Sequence, residues 1–419
     1  MTPLRPLSLA LAFLAAVLAA RGATGEFFER LESALTVSSA DAFFRARASG
    51  TLDLEAYRLP SPAPALLDTT RDTFINPRLS LYLDSHLGPR AYFFAQARLD
   101  RGFDAGDGSA HLRLDEYALR LAPWRGTRAS FQLGKFATLV GSWVNRHGSW
   151  ENPFITAPLP YEHLTGMWDN EPPRSVNQLL LWSHVRPGLF PALTAEEKLF
   201  RLPLIWGPAY GTGAAASAAF GRFIVAAEVK NSALSSRPDS WGPGADGHRY
   251  PTLSSRLAWS PNAMWHVGLS ASTGQYLLPV ARPLIPAGVG LGDYRQRLLA
   301  ADVGFAWHHW QLWAEFFRTR FALPRLGDAT TDAAYVEAKY RFTPHFSAAL
   351  RLNRQTFGTL ADGPRGLVRW GGDVWRYDVA PAWRLSPHLQ LKLQASWQHE
   401  ASVQPEHTRT LSSQFTLRF

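Results

Sequence analysis

The chain has 419 residues, no Cys, only 18% charged residues and a heavy aromatic load of 16 Trp, 25 Phe and 12 Tyr. The missing Cys excludes a disulfide framework, a thiolate zinc site and a cysteine nucleophile together. The formal charge of +9 rests almost wholly on Arg, because the only lysines are Lys135, Lys198, Lys230, Lys339 and Lys392; nucleic acid is the usual partner for such a balance, but an exported chain argues against it.

At the start, Met1 to Arg5 carries one basic side chain, and Leu7 to Ala20 is an apolar run containing a single Ser. That run is too short for a comfortable transmembrane helix, and small residues follow it. Residues 1–25 therefore read as a signal peptide, with Ala23-Thr24-Gly25 as a candidate cleavage site. Residues 26–44 follow as a periplasmic lead-in, where Phe27, Phe28, Leu31, Ala34 and Leu35 fall at helical spacing and predict a short amphipathic helix. Beyond it no stretch approaches the roughly 18 to 20 apolar residues of a helical span, so any crossing of a bilayer must use strands.

From residue 45 to 419, segments of about ten residues alternate apolar and polar side chains, the signature of a transmembrane barrel. In 389–397, Leu389, Leu391, Leu393, Ala395 and Trp397 share one face, against Gln390, Lys392, Gln394 and Ser396. The same alternation sets Leu350 and Leu352 against Arg351 and Asn353, and Val336 and Ala338 against Glu337 and Lys339. Short connections repeat an aromatic or Leu beside a Pro: Trp259-Ser260-Pro261-Asn262, Phe342-Thr343-Pro344-His345, Leu385-Ser386-Pro387-His388 and Leu121-Ala122-Pro123-Trp124. These predict periplasmic turns, because Pro cannot join a ladder, with the aromatics forming a girdle at headgroup level. Long Gly-, Pro-, Asp- and Arg-bearing connections at 58–76, 101–110, 137–174, 231–250, 274–293, 322–331 and 357–372 predict the opposite, extracellular end. The expected fold class is all-β, a closed antiparallel transmembrane β-barrel of about 18 strands with a short N-terminal helix; sixteen is the fallback, since the pair around 175–206 is the weakest.

Physics requires the closure: an unpaired backbone group in hydrocarbon costs several kcal/mol, so the sheet must have no free edge. A charge on the lipid face costs about 2 to 4 kcal/mol near the midplane. Arg351, Arg376, Lys392, Arg384 and Arg418 are therefore expected in the lumen or at the interfaces, together with Asp302, Glu315, Glu337 and Asp378. A wall of both signs predicts only modest anion selectivity. The Arg excess has a second reading, contact with lipid phosphate.

The last residues, Leu411-Ser412-Ser413-Gln414-Phe415-Thr416-Leu417-Arg418-Phe419, resemble the terminal strand of bacterial outer-membrane proteins, whose final Phe serves as an insertion signal. Phe131-Gln132-Leu133-Gly134-Lys135-Phe136 is similar to strand segments of phosphate-selective porins over some ten residues, but the basic array of those porins has no counterpart that aligns here. The resemblance implies an outer-membrane porin-like channel for passive diffusion of small hydrophilic solutes; the Arg-rich charge adds a modest anion preference, and no motif of the enzymatic barrels is found. The resemblance also implies, by analogy, a homotrimer in contact with membrane lipid and lipopolysaccharide. The alternative is an outer-membrane barrel with an enzymatic, structural or adhesive role and no open pore.

The expected pore-lining or constriction residues are Arg146, His147, Glu151, Arg113, Asp115, Glu337, Lys339, Arg351, Arg376 and Lys392. Arg146, His147 and Glu151 lie in the longest connection, which in general porins folds inward. They would set a transverse field there, while Trp143 and Trp150 either stack on sugar-like solutes or simply hold the loop to the wall. Asp115-Glu116, Glu162-His163 and His308-His309 are isolated pairs without the company that catalysis requires. Neighbouring strand residues point to opposite faces, so the His pair is a poor metal site. No cofactor, metal or nucleic acid is expected.

Overall fold

The structure, a computed structural model, describes residues 21–419 apart from 61–62, 104, 107, 124–128, 184–194, 240–248 and 402–405. Most of the expected signal peptide, and part of the turn at Trp124, lie outside the described residues. Helix α1 (Arg21–Ala34) precedes a three-residue strand, β1 (Thr36–Ser38). The wall follows as β2 (Phe44–Arg58), β3 (Thr73–Leu87), β4 (Ala91–Asp100), β5 (His111–Leu121), β6 (Ala129–Phe136), β7 (Gly211–Phe220), β8 (Phe223–Lys230) and β9 (Thr252–Trp259). It continues as β10 (Trp265–Gln275), β11 (Arg295–Trp307), β12 (Trp310–Leu323), β13 (Gly327–Arg341) and β14 (Phe346–Phe357). After a small hairpin of β15 (Thr359–Ala361) and β16 (Leu367–Arg369), it ends with β17 (Val374–Arg384), β18 (Leu389–Glu400) and β19 (Glu406–Arg418). Each wall strand pairs antiparallel with the next, and β19 pairs back onto β2, closing a 16-strand barrel.

The count corrects the expected 18 to its fallback. The doubtful pair at 175–206 is helical: Ser175 accepts from the Gln178 N–H and caps a helix at Val176–Trp182, and a second helix spans Ala195–Phe200. Residues 322–331 were also expected as a loop. Instead β12 and β13 run on together, with Leu323 paired to Gly327 across a three-residue turn.

The faces are inverted relative to a soluble sandwich. On β14, Leu350 and Leu352 are more than half exposed, whereas Arg351 and Asn353 are buried. On β18, Lys392, Gln394 and Ser396 are buried, while Leu393 and Trp397 face out. An apolar belt outside and a polar lining inside are what hydrocarbon demands of a closed sheet. At the short-turn end the outward aromatics form a chain, with ring centroids 4.7 Å apart for Trp310–Tyr340, 4.9 Å for Tyr340–Phe342, 5.4 Å for Phe342–Phe346 and 5.2 Å for Phe346–Trp383.

Closure is reinforced at the seam. β19 covers β2 from Arg58 to Thr51, and Phe419 and Gly50 then exchange backbone hydrogen bonds of 2.9 and 3.0 Å. β1 takes over beneath, pairing Thr36–Ser38 with Arg47–Arg45, so the exposed edge of β2 is satisfied almost along its length. The Phe419 ring lies against Gly50, where a Cβ would stand 2.5 Å from Phe419 Cζ. Phe28 of α1 stacks on His388, centroid to centroid 4.3 Å, which docks the lead-in helix to the same rim.

Candidate functional site

The described residues of the connection from β6 to β7, 137–183 and 195–210, do not stay outside; they fold into the lumen as an insert. Val140, Trp143, Val144, Tyr161, Leu204 and Ile205 are buried against inward-facing Leu298, Phe317, Ala333 and Tyr335 of β11–β13. Nearer the long-loop end, Met167, Leu179, Leu180 and Leu202 pack with Tyr276, Phe321, Phe357 and Trp370. The otherwise polar lining is thus interrupted by an apolar seat on one side, and the insert occupies it.

Polar side chains fix the insert's backbone. Glu315 accepts from Ser142 N–H and Oγ–H (2.6 Å for the hydroxyl), Trp143 N–H (2.7 Å) and the Tyr161 hydroxyl (2.5 Å). Glu228 accepts from the Thr138 hydroxyl at 2.6 Å, and Gln296 donates to Leu204 O at 2.7 Å. Lys392 donates to Ser149 O and Asn152 O, at 2.6 and 3.0 Å. Gln394 accepts from Ile155 N–H at 2.6 Å, and Asn353 from Leu159 N–H at 3.2 Å.

Four of the expected site residues meet in a single ion-pair network. Arg146 pairs with Glu337, which also pairs with Arg351 at 3.2 Å; Arg351 pairs with Asp378 at 2.8 Å; Asp378 pairs with Arg376, which in turn holds Glu162 of the insert. Arg351 and Glu337 have no exposed side-chain surface. They face inward, but they lie behind the insert. Arg113 and Asp115 belong to a second cluster on the opposite wall, with Arg98 and Asp100. Lys339 borders a cavity at the short-turn end, Glu151 is exposed in another, and Lys392 is wholly covered. Trp143 and Trp150 are buried, and Trp150 lies under the Arg384 and Arg418 guanidiniums at 5.1 and 4.5 Å. Both hold the insert in place.

The wall of β2–β5 is the side the insert leaves open. Arg78, Arg98 and Arg113 stand there on three adjacent strands, each paired with carboxylates: Asp53 and Glu55, Asp115, and Asp100 and Asp115 respectively. Arg78 and Arg98 were missed in the sequence. Their signal was the placement of single Arg residues beside Leu in otherwise apolar strand stretches, as in Pro77-Arg78-Leu79 and Ala97-Arg98-Leu99. An outer cavity of about 190 Å³ lies on the long-loop side of this wall, and an inner cavity of about 540 Å³ on the short-turn side. Tyr210 lines the first and His147 the second, and His147 Nε2 and the Tyr210 hydroxyl are hydrogen-bonded at 2.9 Å. A third cavity, about 400 Å³, is bordered by Lys339, Arg341 and Arg384 with no carboxylate in its lining. Among the described residues no cluster of three or more His, Cys, Asp or Glu could hold a metal.

No protein-family model matches the chain, and no curated relative matches it. Solved structures do. OmpT, an outer membrane protein of Vibrio cholerae, superposes with a TM-score of 0.55 over 92% of this chain and 99% of its own at 9% identity, and another of its structures is of a trimer form. An anion-selective porin from Comamonas acidovorans gives 0.54 over 90% and 100% at 9% identity. Salmonella typhi OmpF, in complex with daunomycin, gives 0.54 over 91% and 100% at 10% identity. The chain has the outer-membrane porin fold. Within that porin fold this chain carries an inward connection, a wall of three arginines facing it and an apolar outer belt.

Proposed function

We propose that the chain is an outer-membrane channel through which small hydrophilic solutes diffuse passively, and not an enzyme. The observation that carries this reading is the pair of cavities between the insert and the wall of β2–β5, the outer lined by Tyr210 and the inner by His147, whose side chains meet at 2.9 Å. A short inward contact of this kind sets pore size, while the ion-paired wall supplies a field of both signs. A modest anion preference is assigned to the short-turn mouth, where Lys339, Arg341 and Arg384 face water without a carboxylate among them. Export by a signal at residues 1–25 and a lead-in over 26–44 belong to the same reading. So does a homotrimer, supported by the trimer form of the similar OmpT.

Lipopolysaccharide is the proposed partner of the outer face. Arg297, Arg318, Arg320 and Arg354 are exposed on neighbouring strands, in step with lipid-facing Leu299, Phe316 and Leu352. Arginines just beyond the apolar belt are placed for phosphate groups.

The test is single-channel conductance of the refolded protein in a planar bilayer under a KCl gradient. Discrete steps with a chloride-leaning reversal potential are expected, and Lys339→Glu combined with Arg384→Glu moves that potential toward potassium. Stable insertion without current sinks the channel and leaves an enzymatic or structural barrel.

A further inference from the structure

We propose that the outer cavity is a binding site for a neutral, polyhydroxylated solute of monosaccharide size. The inference rests on the channel reading, since it names a solute class for that passage, but it is argued from the cavity itself.

The lining combines apolar and aromatic side chains, Tyr57, Phe103, Ile155 and Trp206, with the neutral polar side chains of Ser396, Gln398, Thr408 and Thr410. A ring with C–H faces and hydroxyls at its edge matches such a lining, because aromatic surfaces take up the apolar faces and the neutral polar groups serve the hydroxyls.

The charged lining excludes ionic solutes. It comprises Arg78, Arg98 and Arg376 and the carboxylates Glu55, Asp100 and Glu162, three of each sign. Each is already engaged. Glu55 takes Arg78, the Tyr57 hydroxyl at 2.9 Å, Asn76 Nδ2 at 3.0 Å and Gln414 at 2.7 Å; Asp100 holds Arg113; Glu162 holds Arg376; and Arg98 holds Asp115 at 3.0 Å. An incoming anion or cation would have to break one of these pairs.

Besides Arg98 Nε, which makes only the ion pair to Asp115, two buried polar atoms of the described lining have no hydrogen-bond partner: the indole N–H of Trp206, whose residue is 2% exposed, and Oδ1 of Asn76, 3% exposed. Both residues border the cavity. Buried polar atoms are ordinarily satisfied, so one free donor and one free acceptor beside the same space mark a place for a group that both accepts and donates, as a hydroxyl does.

The experiment is saturation-transfer NMR with D-glucose and the full chain folded in deuterated detergent micelles. Transfer to the sugar ring protons is expected in the wild type and falls several-fold in Gln398→Ala and in Phe103→Ala, with heat-modifiable gel migration reporting that each variant has folded. If one variant fails to fold, the other carries the test. Potassium gluconate at equal concentration leaves the glucose signal intact. No transfer in the wild type, full transfer in every folded variant, or displacement by gluconate overturns the proposal. Transfer in a protein that passes no current removes the channel and leaves the site standing; current without transfer removes the site alone.

Discussion

Glu315 gathers four donors from the insert onto one buried carboxylate. Glu315→Ala orphans them, at about 1–3 kcal/mol for each group that finds no other partner. The expected result is larger and noisier single-channel steps and faster tryptic cleavage near residue 142, with the barrel still heat-modifiable. Arg351 plays the corresponding role on β14, binding Glu337, Asp378, and the carbonyl and hydroxyl of Thr156. Arg351→Ala leaves two carboxylates buried, a loss of about 3–5 kcal/mol, to be read as a lower urea midpoint in micelles. His147, in the insert, is pulled down from 6.5 to about 4, by burial first and by Arg98 next, against a hydrogen bond to Val144 O that raises it. A depressed folded-state value means that its contact with Tyr210 is at full strength above pH 6.5 and is lost as the pH falls through about 4. Conductance should therefore hold steady from pH 8 to 7 and rise toward pH 4. His147→Gln should flatten that rise.

At the scale of elements, the strands were legible because hydrocarbon enforces a period of two along every one of them: Leu389, Leu391 and Leu393 against Gln390, Lys392 and Gln394 can be read without a structure. The turns at Pro261, Pro344 and Pro387 were legible for the same reason. The helices at Val176–Trp182 and Ala195–Phe200 were not, because an apolar run such as Leu179-Leu180-Leu181-Trp182 suits a strand as well as a buried helix when nothing local says what it packs on. Of the inward-facing charges, the alternation pointed to Arg351, Glu337 and Lys392 but passed over Arg78 and Arg98. It could not tell that Arg351, Arg376 and Lys392 serve the insert, since that depends on contacts more than 190 residues distant. The seam offers a test of its own: deleting Phe419 removes the backbone exchange with Gly50 and the ring lying on it, and should lower the yield of heat-modifiable barrel in refolding.

At the scale of the molecule, the insert's polar anchors on Glu228, Gln296, Glu315, Asn353, Arg376 and Gln394 come from β8, β11, β12, β14, β17 and β18. All of these strands follow the insert in the chain. The insert therefore braces the later part of the wall from within, tying six strands to one inner body. A shortened insert would act on more than the width of the pore, because it would also remove the contacts that hold those strands in a common curve.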